Sequence, residues 1–216
     1  MKTIILAGGW GTRMGPLTEF TPKPMVNIGS KPIIWHIMNL YSKFGYNDFI
    51  VALGVKGDII KRFYKDLVYL NNDFLVDIKK NKVELLSNHR KDWRVTLVDT
   101  GIDTLKGGRI KRLEKYLDNG SNMLTYGDGL SDINIKNLIK FHNSHDRIIT
   151  FTGVHPSGRF GEFEEKNNIV SSFSEKPQKG RTYINGGFMV FKKELLNYLT
   201  EDEDCDFEFG AMEFLA

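Results

Sequence analysis

An apolar run near the start of the chain, Thr3 to Ala7, ends on three glycines in four positions, Gly8, Gly9 and Gly11. Such a run, stopped by glycine, reads as a buried strand feeding a tight loop. Lacking Cβ atoms, those glycines let backbone N–H groups come close to an anion such as phosphate. Arg13 adds a planar fork of donors and Lys23 a point charge, both suited to a polyphosphate. Three identities compete for the loop. A P-loop needs four residues between its glycines and then Gly-Lys-Ser or Gly-Lys-Thr, which is absent. A dinucleotide fingerprint needs glycine at the position of Met14 and an acid ending the second strand, which ends instead in Ala52-Leu53-Gly54. A turn built only for packing leaves Arg13 and Lys23 unexplained. A phosphate-binding loop accounts for all of these residues.

Beyond the loop, strand and helix patterns alternate. Residues 32–44 read as a helix with Pro32 at its start and Gly45 past its end. Residues 49–53 form a second strand, and Asp58 is placed to cap a helix running to about Leu67. Short strands are expected over 82–86 and 94–98. A helix follows over 109–117, with Ile110, Leu113 and Leu117 on one face. Another strand, 122–126, leads to Gly127-Asp128-Gly129 and then a helix over 135–145, with Asp132 read as a residue at the helix start. Four further strands are expected over 148–154, 162–164, 169–173 and 188–191, with antiparallel additions after His145. Alternation of this kind implies α/β architecture: a Rossmann-like open mixed, mostly parallel sheet with helices on both faces. No repeat, low-complexity tract or linker divides it, so residues 1–216 are expected to form a single domain. Ligands of such sheets sit beyond the carboxyl ends of the strands, which directs attention to 8–25, 127–132 and 156–161.

Bulk properties exclude several classes. The 216 residues suit one α/β domain, and 26% charged residues suit a globular protein. No apolar run is long enough for a membrane span or a secretory leader, so no membrane partner is expected. The single cysteine, Cys205, cannot form an internal disulfide, which agrees with a cytoplasmic location. A net charge of +3 fits anionic ligands, but no Lys/Arg cluster with interleaved aromatics suggests nucleic acid. The run Glu201 to Asp204 reads as a solvated loop before a last helix. Histidines 36 and 142 sit on expected helices, where packing or capping is the ordinary role. His89, His145 and His155 lack the spacing of a zinc site.

Leu6-Ala-Gly-Gly-x-Gly-Thr-Arg13 with Pro22-Lys23-Pro24 resembles the signature of sugar-nucleotide pyrophosphorylases. Within that nucleotidyltransferase superfamily, of glycosyltransferase-A-like fold, further stretches resemble glucose-1-phosphate cytidylyltransferases. They are Lys31 to Met38, Trp93 to Gly101, Gly107 to Arg112, Leu124 to Gly129, Gly158 to Gly161, Phe173 to Pro177 and Ile184 to Phe188. Together they span nearly the whole chain.

The resemblance implies transfer of a cytidylyl group from CTP to the phosphate of a small metabolite, with release of pyrophosphate. Glucose 1-phosphate, giving CDP-glucose, is the first acceptor it suggests. A non-sugar phosphate such as phosphoglutamine, used in capsule or surface-polysaccharide decoration, is the second. A catalytically inactive nucleotide-binding relative is the third reading. The nucleotide site implied comprises Leu6, Gly8, Gly9, Gly11, Thr12, Arg13, Lys23 and Gly127. Arg13 would hold the leaving pyrophosphate and Lys23 would lie near the α-phosphate. The acceptor site implied comprises Arg109, Gly161, Glu175, Lys176, Asn185 and Gly186, with Lys176 on the acceptor phosphate and Glu175 on an acceptor hydroxyl. Asp128 would hold Mg²⁺, and a second metal ligand of the family would lie beyond Ala216. Relatives are commonly oligomers, so a homo-oligomer is also implied. One departure stands out: the family pattern has Thr before Gly-Gly-Arg, and this chain has Lys106. A cation there either favours a more anionic acceptor or faces solvent.

Overall fold

The computed structural model describes residues 1–11, 15, 18–87, 91–156, 162–174 and 183–216. Its strands in chain order are β1 (Thr3–Leu6), β2 (Asn27–Ile28), β3 (Lys31–Pro32), β4 (Asp48–Leu53), β5 (Phe74–Asp77) and β6 (Lys82–Leu85). They continue as β7 (Arg94–Asp99), β8 (Ser121–Tyr126), β9 (Ile149–Val154), β10 (Glu162–Lys166), β11 (Ile169–Ser174) and β12 (Ile184–Lys192). The α-helices are α1 (Ile33–Ser42), α2 (Gly57–Leu70), α3 (Lys106–Lys111), α4 (Ile135–His142) and α5 (Glu213–Leu215).

Six strands form the central sheet in the order β7-β4-β1-β8-β12-β9. The pairs β7/β4, β4/β1 and β1/β8 are parallel, and β12 runs antiparallel to both β8 and β9. This is the mixed, mostly parallel sheet expected from the alternation. Successive side chains of a strand point to opposite faces. One face carries Ile5, Phe49, Val51, Met123 and Val190 against α1 and α4. The other carries Ile4, Leu6, Ile50, Ala52, Leu124 and Met189 against Ile110 of α3 and Phe207 of the C-terminal turn. Because both faces are covered, β1 and β4 must be apolar throughout, which is why they read as unbroken apolar runs.

Phe49, fully buried on β4, meets Tyr41 of α1 and Trp93 edge-on. Phe49→Ala is expected to cost about 3–5 kcal/mol of stability, read as a lowered denaturation midpoint at unchanged slope.

Several element boundaries differ from expectation. The helix α2 extends to Leu70, and its N-cap is Lys56 in the left-handed region (φ 57°). Asp58 lies inside its first turn and pairs with Arg62 at 2.9 Å instead of capping. Asn134, not Asp132, caps α4, its side chain accepting from the Asn137 N–H at 3.1 Å. The helix α3 starts at Lys106, earlier than expected, and ends at Lys111; Leu113 and Leu117 flank a short 3₁₀ turn, Glu114–Tyr116, that follows it. Tertiary packing sets that start. A Cβ on Gly107 would lie 2.7 Å from the Cys205 carbonyl, so glycine lets the helix begin against the C-terminal segment. The strand β12 begins at Ile184, not Phe188, and β5 pairs with β6 in a hairpin the periodicity did not suggest. In place of a regular last helix, Phe207–Met212 forms a π-helical turn before α5, with Asp206 accepting from the Glu208 and Phe209 N–H groups.

The chain moves outward from β1 to β4 and β7, then returns to place β8 on the other side of β1. Loops leaving β1 and β8 therefore diverge at their carboxyl ends, opening a crevice at the switch point.

Candidate active site

The crevice is a cavity of about 660 Å³, within the roughly 300–1,000 Å³ common for small-molecule sites. Leu6, Gly8, Gly9 and Gly11 of the first loop line it, with Lys23, Gly127 and Asp128. The sequence spread these residues over more than a hundred positions; the parallel β1/β8 pair brings them together, Gly127 N–H donating to the Leu6 carbonyl at 2.9 Å.

Two contacts and one backbone angle shape the glycine loop. The Thr18 hydroxyl donates to the Gly11 carbonyl at 2.9 Å, and Lys56 Nζ donates to the Thr18 carbonyl at 2.6 Å. Gly11 itself has φ 74°, a conformation that side chains disfavour. Among the described residues, no protein acceptor takes the N–H of Gly8, Gly9, Trp10 or Gly11. Donors on a cavity wall with no described protein partner are what an anion needs. Trp10 also lines the cavity and is 60% exposed, so the indole is open to a ligand.

Lys23 heads a short 3₁₀ turn, Lys23–Met25, with a proline on each side. Fixed proline φ angles restrict this turn before any ligand arrives. Its ammonium lies 3.3 Å from Asp128 Oδ2, with the lysine side chain 15% exposed and the aspartate 40%. Asp128 follows β8 on a turn and offers hard carboxylate oxygens to the cavity. Among the described residues no group of three or more His, Cys, Asp or Glu side chains stands together as a self-sufficient metal site. Mg²⁺ is commonly held by one or two carboxylates with substrate phosphates and water. Asp128 fits that pattern.

The opposite wall carries a network that sequence reasoning missed. Tyr126 Oη donates to Glu208 Oε1 at 2.7 Å and accepts from Asn185 Nδ2 at 3.1 Å. Lys106 Nζ lies 2.7 Å from the same Glu208 oxygen and 5.6 Å from the centre of the Tyr126 ring. Burial, and then the hydrogen bond to Glu208, push the Tyr126 phenol well above its usual value, so it stays a neutral donor. Lys106 therefore does not simply face solvent: it lines the cavity beside a carboxylate. Asn185, expected in the acceptor site, and the unexpected lysine before Gly-Gly-Arg were the only hints of this wall. Asn185 joins it through Tyr126, while Gly186 lies behind, where a Cβ would sit 2.9 Å from the Thr152 carbonyl.

Arg109 needs correction. Only 4% exposed, its guanidinium donates through Nη1 to the Leu53 and Gly101 carbonyls and the Thr100 hydroxyl, at 2.6–2.9 Å. Nη2 donates to the Gly8 and Ile102 carbonyls, both at 3.0 Å. Its terminal N–H groups are thus consumed by protein oxygens, and the acceptor-binding role expected of Arg109 is withdrawn. Burial first, and Arg112 second, lower its pKa, with Asp99 and Asp103 acting the other way. Thr12, Arg13, Gly161, Glu175 and Lys176 lie outside the described residues, as does His89. His36 meets the Ile28 carbonyl at 3.0 Å and buried His142 meets the Thr150 hydroxyl at 2.8 Å, both packing roles.

Comparison with known proteins agrees with this geometry. The family model described as nucleotidyl transferase matches residues 2–209. The glucose-1-phosphate cytidylyltransferase of Salmonella typhimurium is 42% identical over 203 residues, covering 94% of this chain and 79% of that protein. A D-glycero-alpha-D-manno-heptose 1-phosphate guanylyltransferase of Campylobacter jejuni is 28% identical over 209 residues, covering 96% and 83%. Among solved structures, HddC from Yersinia pseudotuberculosis superposes with TM-score 0.65 at 26% identity, covering 93% of this chain and 81% of that one. With a family match over nearly its full length, and a cavity built where that family's signature falls, the chain belongs to the nucleotidyl transferase family.

Proposed function

We propose that the chain is a cytidylyltransferase that joins CTP to a small phosphorylated acceptor and releases pyrophosphate. The observation that carries this reading is that the Lys23–Asp128 pair and the glycine loop, whose N–H groups meet no protein acceptor among the described residues, line one cavity. In the reaction, an oxygen of the acceptor phosphate forms a bond to the α-phosphorus of CTP. The bond from that phosphorus to the bridging oxygen breaks, and pyrophosphate leaves with the electron pair. A phosphate monoester, with a second pKa of about 6, is already largely ionised, so no general base is required. What the protein must do is hold two polyanions in line and offset their charge. In this reading the loop N–H groups and Arg13 grip the β- and γ-phosphates, and Lys23 stabilises charge at the α-phosphate. Glu175, Lys176, Asn185 and Gly186 serve the acceptor. Asp128 holds Mg²⁺, which supplies further neutralisation of phosphate charge when bound.

CTP is favoured over GTP because the 42% identical relative is named as a cytidylyltransferase, while the guanylyltransferase is only 28% identical. The same relative favours glucose 1-phosphate as acceptor. A second reading rests on Lys106: its ammonium and the Glu208 carboxylate put paired opposite charges on the cavity wall. Such a pair complements an acceptor carrying charges of its own, such as phosphoglutamine, better than an uncharged hexose ring. Residues 1–216 acting as one domain, a cytoplasmic location, assembly as a homo-oligomer and a place in polysaccharide biosynthesis complete the proposal.

The test is pyrophosphate release by the full chain with CTP and Mg²⁺, using glucose 1-phosphate and phosphoglutamine in parallel. Release with glucose 1-phosphate, changed less than about threefold by Lys106→Thr, supports the sugar reading. Release confined to phosphoglutamine and lost in Lys106→Thr establishes the second. Release with neither, or with GTP only, overturns the proposal.

A further inference from the structure

Arg109 is a buried cation held mainly by neutral oxygens. Among the described residues no Asp or Glu lies within ion-pair distance of it; its neighbours are backbone carbonyls and one hydroxyl. Burying an unpaired charge is costly, so such a residue is retained where something offsets the cost. Its position is informative. Leu53 ends β4, Thr100 and Gly101 follow β7, and Gly8 follows β1, so one guanidinium joins the carboxyl ends of three adjacent parallel strands. Of these positions Gly8 lines the cavity, as do Arg109 itself and Ile102, which follows Gly101.

The fit leaves no slack. A Cβ on Gly8 would collide with the guanidinium, and one on Gly54 would lie 2.5 Å from Nη1. The Gly8 carbonyl also accepts from the Val55 N–H at 3.2 Å. Held from two sides through its carbonyl, the Gly8 peptide is fixed, and among the described residues the N–H groups of Gly9, Trp10 and Gly11 meet no protein acceptor.

We propose that Arg109 is a positioning residue for the nucleotide's phosphates: its fork fixes the Gly8 peptide so that the loop's N–H groups are arrayed for a polyphosphate chain. The anionic chain then adds to the counter-charge that Asp99 and Asp103 supply without direct ion-pair contact. Although Arg109 borders the cavity, its terminal N–H groups are taken by protein oxygens, and its proposed action is through Gly8. The inference rests on reading residues 8–11 as a phosphate loop, and on nothing about the base or the acceptor.

Inorganic tripolyphosphate, which has neither base nor acceptor, is the probe that separates these questions. Calorimetric binding is measured with the wild-type chain and with Arg109→Gln, Arg109→Lys and Gly8→Ala. The alanine variant keeps Arg109 and drives a methyl group into the guanidinium, so it reports on the loop when the arginine variants fold poorly. The expected result is a Kd for tripolyphosphate at least tenfold weaker in the Gln and Ala variants, with the Lys variant between them and wild type. In turnover, KM for CTP rises by a similar factor while KM for the acceptor moves less than threefold. Unchanged tripolyphosphate affinity in folded Arg109→Gln and Gly8→Ala overturns the proposal, as does a rise confined to the acceptor KM. A wild-type chain that does not bind tripolyphosphate overturns it too. A wild-type chain that binds tripolyphosphate but not CTP refutes the functional reading instead, and the variants still decide the role of Arg109.

Discussion

Lys23→Ala should lower kcat by about 10²–10³-fold, the usual cost of removing one preorganised group that stabilises transition-state charge. The fold should survive. The Lys23 side chain is 15% exposed and its one described polar contact is with Asp128, so its loss opens no core cavity and orphans no buried donor. Near-wild-type CD spectra and melting, together with the rate loss in a pyrophosphate-release assay, are the expected pair of results. Lys23→Arg should recover little. The flanking prolines fix where the side chain starts, and the guanidinium spreads its charge over a wider plane. Turnover that is unchanged in Lys23→Ala would remove Lys23 from the reaction and leave the cavity as a binding site only.

Asp128→Asn should be comparably damaging to turnover, by about 10²-fold or more, but with the opposite effect on bare nucleotide. Removing this carboxylate takes a negative charge away from a site that receives a polyanion, and it frees the Lys23 ammonium now 3.3 Å away. Without divalent metal, CTP should therefore bind Asp128→Asn at least as tightly as wild type. With Mg²⁺, wild type should gain affinity and activity, and the variant should gain little. The measurement is CTP binding with and without Mg²⁺, set beside the Mg²⁺ dependence of the rate. Equal Mg²⁺ dependence in both proteins would sink the role given to Asp128.

The two substitutions also separate roles that the 3.3 Å pairing blurs. Lys23 and Asp128 pair directly in the structure, yet one is expected to serve phosphate and the other a cation that accompanies phosphate. If the pair were merely a surface ion pair, both changes would cost well under a kcal/mol of stability and leave turnover alone.

Much of the architecture was written locally. The unbroken apolar runs of β1 and β4 announced strands buried on both faces, and the alternation with helices announced a parallel sheet. Gly8, Gly9, Gly11, Lys23 and Asp128 were legible for the same reason, since glycine loops, proline-flanked lysines and turn aspartates carry their geometry within a few residues. Errors gathered where local signals compete with packing. Asp58 and Asp132 both looked like helix caps, yet Lys56 and Asn134 hold those positions. The start of α3 was misplaced because glycine pairs weaken a helical pattern; here they let Lys106–Lys111 pack closely against residues 202–206.

What the sequence determined by itself was the fold class and the family, because each depends on an extended pattern of residues along the chain. Tertiary structure alone decided which side chains share a wall. Lys106, Tyr126, Asn185 and Glu208 come from four separate segments, and no local spacing links them. It also decided that Arg109, whose residue type suits a phosphate ligand, spends its donors on Gly8, Leu53, Thr100, Gly101 and Ile102. A guanidinium offers the same fork to phosphate or carbonyl; only its depth beneath three strand ends determines which oxygens it meets.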